Sequence, residues 1–389
     1  MLNFCRSANY IPTLKWRWGE RHALSTISTA AKNSLLPLFL MPPSGDYDHE
    51  KDRVIEPLEH VKLFGGRLNK DWGRRPAFVD AGLINGGERW NHLDEHPLTE
   101  LLGRAHAAGA QACPATAIGR SADYQLAVQR FAAREPNLPV CVRATSLHII
   151  GSDSFGSDLL RTLAEIGCAP KQVVLNLDFS ESGALKVHEV DSFAELLVRK
   201  LNDLPALYDW LSVAVTLSAF PTSLKTMKPG EVKPFPRTDW LVYERLAARR
   251  SDLGRLPIYG DYAIDSSCYS KPIRASPSAT FRYTVGGAYI VAKGAQAKKP
   301  VGYAAIYPVA NTLAHRDEFM GARFSDGDAF IDRLSTRQHG VSTGHAGTWR
   351  WAGTDHHFTM VTRDLANLNV QRTLSEQKVD EPAEQGILI

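Results

Sequence analysis

"QVVLNLD", residues 172–178, carries two unlike faces in one short run. Val173, Leu175 and Leu177 make one face; Val174, Asn176 and Asp178 make the other. Side chains alternate across a strand, so the run reads as a buried strand. One face is apolar throughout, and the other turns polar only toward its C-terminal end. A strand of a parallel barrel needs that pattern. Its outer face packs on helices, and its inner face fills the barrel and becomes polar at the C-terminal mouth.

Seven more runs are the right length for a buried strand and have breakers nearby. They are "YIPTLKW" (10–16), "LLPLFLM" (35–41), "AFVDAG" (77–82), "QACPATAI" (111–118), "PVCVRAT" (139–145), "LSVAVTLS" (211–218) and "LPIYGDYA" (256–263). Amphipathic helical sequence fills the intervals, as in "LTELLGRAHAAG" (98–109), "GSDLLRTLAEIG" (156–167) and "RTDWLVYERLAARR" (237–250). Eight strands alternating with helices predict an α/β fold, a (β/α)8 TIM-type barrel. A doubly wound open sheet is the alternative, and no G-x-G-x-x-G follows the first strand to favour it. The expected division is a barrel over 1–270, a hairpin and helices over 271–370, and a loose tail over 371–389. The hairpin is read from "TFRYTVGGAYIVAKG" (280–294), and "TWRWAGTDHHFTMVTRDLANL" (348–368) reads as helix. Long loops at 42–57 and 220–239 lie on the strand-to-helix side, where barrels elaborate function.

The chain has 389 residues, 44% of them hydrophobic and 22% charged, with a net charge of +3. That composition suits a large globular core and gives no support to a protein that coats nucleic acid or membrane. Nucleic-acid binding would rest on "SLKTMKPGEVKPFPR" and "RLAARR", which read better as a solvated loop and helix end. The five cysteines form no C-x-x-C pair, so no disulfide framework or cysteine zinc site is expected. The N-terminus lacks a signal-peptide core, and no run approaches the ~20 apolar residues of a membrane span. The expected setting is the cytoplasm.

Extending the alternation to every strand places Lys15, Asp80, Arg143, Asp178, Ser218 and Asp261 inward at the late, mouth-side positions. In the last strand this puts Tyr259 and Asp261 inside. Lys15 and Arg143, joined by Arg17 from the first loop, would form an anion site. Asp80, Asp178 and Asp261 would hold a divalent cation such as magnesium or serve as general acid and base. A structural salt-bridge network of the same residues is the competing interpretation. His356 and His357 are adjacent and match no H-x-x-x-H metal pattern. One of them would cover the mouth, or else pack or cap.

Several stretches together resemble a known family. "YIPTLKWRWGERHAL", "PLFLMP", "PRTDWLVYERL" with "PIYGDYA", "FRYT" and "WRWAGTDHHFTMV" are similar to the beta family proteins, named after a T-even phage beta protein. The likeness spans roughly residues 10 to 365. It implies a phage or bacterial cytoplasmic protein among mobile and defence-associated genes, and it carries no activity with it. The matching residues are Lys15, Arg17, Glu20, Arg237, Trp240, Gly260, Asp261, Tyr262, Arg282, Tyr283, His356 and His357. Of these, Tyr262, Arg282 and His356 join the substrate-binding set. Relatives carry an acidic residue near the end of the second strand, where "PLFLMP" is apolar. The expected function is a hydrolase or phosphodiesterase-like enzyme on a phosphorylated or nucleotide-like small molecule. The alternative is a non-catalytic interaction or sensor component that uses the barrel as a scaffold for a protein partner.

Overall fold

The computed structural model describes residues 2–43, 47–48, 53–54, 57–84, 96–180, 185–269, 276–298 and 300–380, with side chains of the last helix described through Leu368. Its centre is a closed barrel of eight parallel strands. They are β1 (Tyr10–Lys15), β2 (Leu38–Leu40), β3 (Pro76–Asp80), β4 (Gln111–Ala117), β5 (Val140–Thr145), β6 (Val173–Asp178), β7 (Ser212–Thr216) and β8 (Ile258–Asp261). Each pairs with its neighbour in the chain, and β8 pairs back with β1. The sheet is therefore closed, and the open-sheet alternative falls. Seven of the strands lie within the runs read from the sequence, and β3 begins one residue before its run, at Pro76. Much of the long loop at 42–57 lies outside the described residues.

Helices α1 (Trp18–Thr26), α2 (Pro57–Trp72), α3 (Pro97–Ala107), α4 (Ala122–Arg134), α5 (Phe155–Ile166), α6 (Val190–Asn202) and α7 (Thr238–Ala248) follow the first seven strands. The eighth helix, α8 (Ala346–Asp380), arrives only after a long insertion. The insertion holds a hairpin, β9 (Ser278–Val285) and β10 (Ala288–Gln296), and helices Ile306–Ala314 and Asp326–Ser335. A third strand, Val232–Pro236, joins the hairpin from the loop before α7, so the Pro/Lys-rich stretch expected as loop donates an edge strand. The expected boundary near residue 270 falls inside the β8–α8 connection. Phe358, Val361 and Leu365 of α8 pack into the main barrel core. Residues 371–380, expected in the loose tail, continue α8; 381–389 lie outside the described residues.

The register tests the inward assignments. Thr13 pairs with Leu38, Leu38 with Phe78 and Phe78 with Cys113, giving one interior layer. Lys15, Leu40 and Asp80 align one step nearer the mouth. The outward side is apolar as expected: Trp16 packs on Phe39 and Phe64 at ring distances of 5.0 and 4.6 Å.

Strand β8 breaks the expectation. Gly260 pairs with Ile11 on one side and Thr216 on the other, both interior residues. Tyr259 and Asp261 therefore point outward, the reverse of the expected assignment. The interior has no room for a side chain here: a Cβ on Gly260 would fall 2.2 Å from Thr216 Oγ1. Thr216 Oγ1 donates to Asn176 Oδ1 at 2.8 Å across the barrel axis layer, so it is held where it obstructs.

Outside, Asp261 is buried beneath α8. Its Oδ1 accepts from Tyr10 Oη at 2.7 Å and from the Ala263 N–H at 2.9 Å. Its Oδ2 accepts from Tyr259 Oη and pairs with His357 Nε2, both at 3.0 Å. Burial pushes this carboxyl up, but His357, Tyr10 and the Ala263 N–H together hold it below its ordinary value. Both histidines of α8 clamp one residue of β9. His356 Nε2 donates to the Thr284 carbonyl at 2.7 Å, and His357 Nδ1 meets Thr284 Oγ1 at 2.8 Å. His356 Nδ1 faces Asp328 at 2.8 Å, which ties in the helix Asp326–Ser335.

Two outcomes follow for stability. Asp261→Ala leaves His357 and two tyrosines without their buried acceptor, and should lower the unfolding free energy by roughly 3–5 kcal/mol. Gly260→Ala overpacks the barrel interior and should cost about 1–3 kcal/mol. Urea unfolding measures both, and wild-type stability in either variant would contradict the outward placement of Asp261 or the tight packing at Gly260.

Candidate functional site

The strand ends bring three separate polar groups together, where the sequence suggested one ring. The first opens on a cavity of about 830 Å³ at the C-terminal mouth. Its floor is Arg143 of β5, held between two carboxylates. Arg143 Nη1 donates to Asp80 Oδ2 of β3. Arg143 Nη2 donates to Asp178 Oδ2 of β6 at 2.6 Å and to Tyr262 Oη at 3.1 Å. Tyr262 Oη in turn donates to Asp178 Oδ2 at 2.8 Å and accepts from Ser180 Oγ at 3.1 Å. The Ser180 N–H caps Asp178 Oδ1 at 2.9 Å. Ser218 and His148 line the same cavity.

Arg120, beyond the end of β4, completes this group. One of its Nη atoms reaches both oxygens of Asp80, at 2.9 and 3.0 Å. Gly82 makes that approach possible: a Cβ there would fall 1.8 Å from Arg120 Nη1. Burial would raise the Asp80 carboxyl, but Arg120, Arg143 and the Gly82 N–H hold it below its ordinary value. Burial also opposes the charge of Arg143, yet Tyr262, Asp178 and Asp80 outweigh it and raise its pKa. The Tyr262 phenol is pushed up by burial and by Asp178, so it stays protonated and can donate.

The second group surrounds Asp265, in the loop after β8. Lys15 Nζ donates to Asp265 Oδ2 at 3.1 Å and to the Cys268 carbonyl at 2.6 Å. Arg282 and Arg350 reach the same carboxylate at 3.0 and 2.9 Å, and Arg17 lies 4.0 Å away. Glu20 sits 3.6 Å from Arg350. Burial favours neutral Asp265, but the surrounding cations, Arg350 first, hold its carboxyl well below the usual range. Burial lowers Lys15, and burial with Arg350 lowers Arg282 to about 10. Lys15 faces inward as expected, yet it does not share a site with Arg143. Arg17 and Arg282 go with Lys15.

The third group is the sealed junction of Asp261, His356 and His357 described above, on the outer side of β8. Asp261 is therefore not at the mouth, and neither histidine covers it. The three aspartates do not converge. Among the described residues, no group of three or more His, Cys, Asp or Glu is placed to hold a metal ion. Of the expected residues, Asp80, Arg143, Asp178, Ser218 and Tyr262 meet at one cavity. Arg120, Ser180 and His148 join them unforeseen. They lie just past the strand ends, His148 in the short helix Ser146–Gly151, where two-residue alternation no longer says where a side chain points. Among the described residues, no helix is long and apolar enough to cross a membrane.

Comparison with known proteins adds a family. A solved structure of a variant of NCR from Zymomonas mobilis is 11% identical, covering 65% of this chain and 81% of that one at a TM-score of 0.28. At that score the likeness carries no argument. No curated protein matches. The Beta protein family matches residues 10–363, nearly the whole chain, and the chain belongs to that family.

Proposed function

We propose that the protein is a hydrolase acting at the barrel mouth on a phosphorylated or nucleotide-like small molecule, with phosphodiester cleavage as the reaction class. The observation that carries this reading is Arg143, fixed between Asp80 and Asp178 on the floor of an open cavity. Charges taken out of water are costly to keep, and at the mouth of a barrel they can meet a solute. Arg120 and Arg143 would supply positive charge to a phosphoryl group. Tyr262, kept protonated, would donate to an oxygen of the substrate. Asp178, paired with Arg143, would accept the proton of an attacking water. The cytoplasm, and a setting among phage and defence-associated genes, belong to the same proposal and rest on family likeness.

Purified protein should release nitrophenol from bis-p-nitrophenyl phosphate or nucleoside monophosphate from a panel of cyclic nucleotides. Arg120→Ala removes one charge-assisted contact while leaving the Arg143 bridge. It should cut kcat/KM by roughly 10- to 100-fold, the equivalent of about 1.5–3 kcal/mol. Gly82→Leu, which fills the space of Arg120 Nη1, should reproduce much of that loss with both charges intact. Turnover indifferent to both changes would remove the mouth as the site. No turnover with any member of the panel would favour the scaffold alternative.

Asp80 also sets a pH dependence. Its folded pKa lies below its unfolded value, so its contribution to stability is present above about pH 4 and is lost as pH falls through the folded value. The stability gap between wild type and Asp80→Asn should therefore be full near about pH 7 and shrink below about pH 4. Urea unfolding across that range checks it, and a gap constant with pH would mean Asp80 is not held ionised by the two arginines.

A further inference from the structure

The opposite end of the barrel carries a second concentration of positive charge. The helix end "RLAARR" (245–250) supplies three arginines, and α6 takes up two of them. Arg245 donates to Asp191 at 2.7 Å and Arg249 to Glu195 at 2.8 Å. Arg250 instead lines a cavity of about 380 Å³ beneath the N-terminal ends of β7 and β8, together with Arg6 and Arg255. No aspartate or glutamate lines this cavity, and no carboxylate among the described residues forms an ion pair with any of the three arginines.

Arg255 is oriented without being neutralised. Its two Nη atoms donate to the carbonyls of Trp210 and Leu211 at 2.6 and 2.9 Å. Carbonyls fix the plane of a guanidinium but bring no counter-charge. Three cations around one concavity repel one another, and an anion placed among them relieves that repulsion. Beside the polar Ser7, Asn9 and Ser212, the remaining wall has an apolar side that includes Tyr243, Leu256, Leu365 and Leu368. A bare phosphate would use the arginines and leave that wall uncovered, whereas the cavity is within the range of organic ligand sites, about 300–1,000 Å³.

We propose that this cavity binds a phosphate monoester of a planar organic group, with the phosphate on Arg6, Arg250 and Arg255 and the organic part against Tyr243 and the leucines. The site is separate from the mouth, since it lies at the other end of the barrel strands. Arg6 and Arg250 are exposed and make no ion pair among the described residues, so Arg6→Ala and Arg250→Glu leave the fold intact; Arg255 is avoided because the start of β7 hangs on it.

Titration calorimetry of the full chain with AMP, adenosine and inorganic phosphate tests the idea. AMP binding should weaken about tenfold or more in Arg250→Glu and in Arg6→Ala, the loss of one charge-assisted contact. The same binding should persist in Arg120→Ala, which alters only the mouth. Adenosine should fail to bind, and inorganic phosphate should bind about tenfold or more weakly than AMP. The proposal is overturned if AMP gives no binding, if Arg250→Glu and Arg6→Ala leave its affinity unchanged, or if Arg120→Ala alone abolishes it. Phosphate binding as tightly as AMP would overturn the organic half of the site.

Discussion

The architecture depends on one buried carboxylate. A (β/α)8 barrel needs a helix over each strand, and here the last one arrives more than eighty positions after its strand, since β8 ends at Asp261 and α8 begins at Ala346. Without that helix, the outer faces of β1 and β8, including Tyr10 and Tyr259, would meet water. Asp261 is what the returning helix docks on. Its two oxygens take four partners from β1, β8, the following turn and α8. A carboxylate so fully satisfied can be buried at tolerable cost, whereas a shifted helix would leave it unpaired. The junction therefore sets where α8 sits along the barrel.

This explains why the family's sequence features are so scattered along the chain. Arg237 and Trp240 at the start of α7, Asp261 of β8, Tyr283 of β9 and the two histidines of α8 lie far apart in sequence but are all buried near this junction. Arg237 is held over the rings of Trp240 and Tyr289, and its Nη1 donates to the Gly286 carbonyl at 3.0 Å. Tyr283 donates to Asp328 at 2.7 Å, the carboxylate that also holds His356. These residues fasten the hairpin and α8 to the barrel. Tyr262 turns to the mouth, and Arg282 and Arg350 turn to Asp265. A motif assembled from such pieces identifies the architecture more strongly than it identifies the chemistry.

The barrel itself was legible because its strands obey one simple constraint. An outer face against helices must be apolar, so runs such as "VVLNLD" and "VCVRAT" announce both strand and orientation. The mouth residues Asp80, Arg143 and Asp178 follow from that rule alone. The rule fails at β8 because its interior position is glycine, which has no side chain to mark a face, and because its outer face carries polar groups for the junction. Alternation then puts the carboxylate on the wrong side. It is silent for Arg120, Asp265 and Arg350, whose positions are set by loops and by a helix folding back over β9. The third strand of the hairpin was hidden for a related reason: "VKPFP" holds two prolines, which an edge strand accepts where a central one would not.

The junction and the mouth network differ in what surrounds them. In the junction, Asp261, Asp328, His356 and His357 have side chains with no exposure at all. Apolar residues of similar volume could hold α8 at least as firmly, so the charges there are best understood as fixing one seat among several. At the mouth, the side chains of Arg143 and Arg120 retain 13% and 24% of their exposure. The two arginines and two aspartates balance in charge, so an incoming anion must compete with Asp80 for the guanidinium groups. That competition disfavours weak, non-specific anions. A network meant only to stabilise the barrel would gain from being sealed. This one borders an open cavity, and the exposure it retains is where its function should be sought.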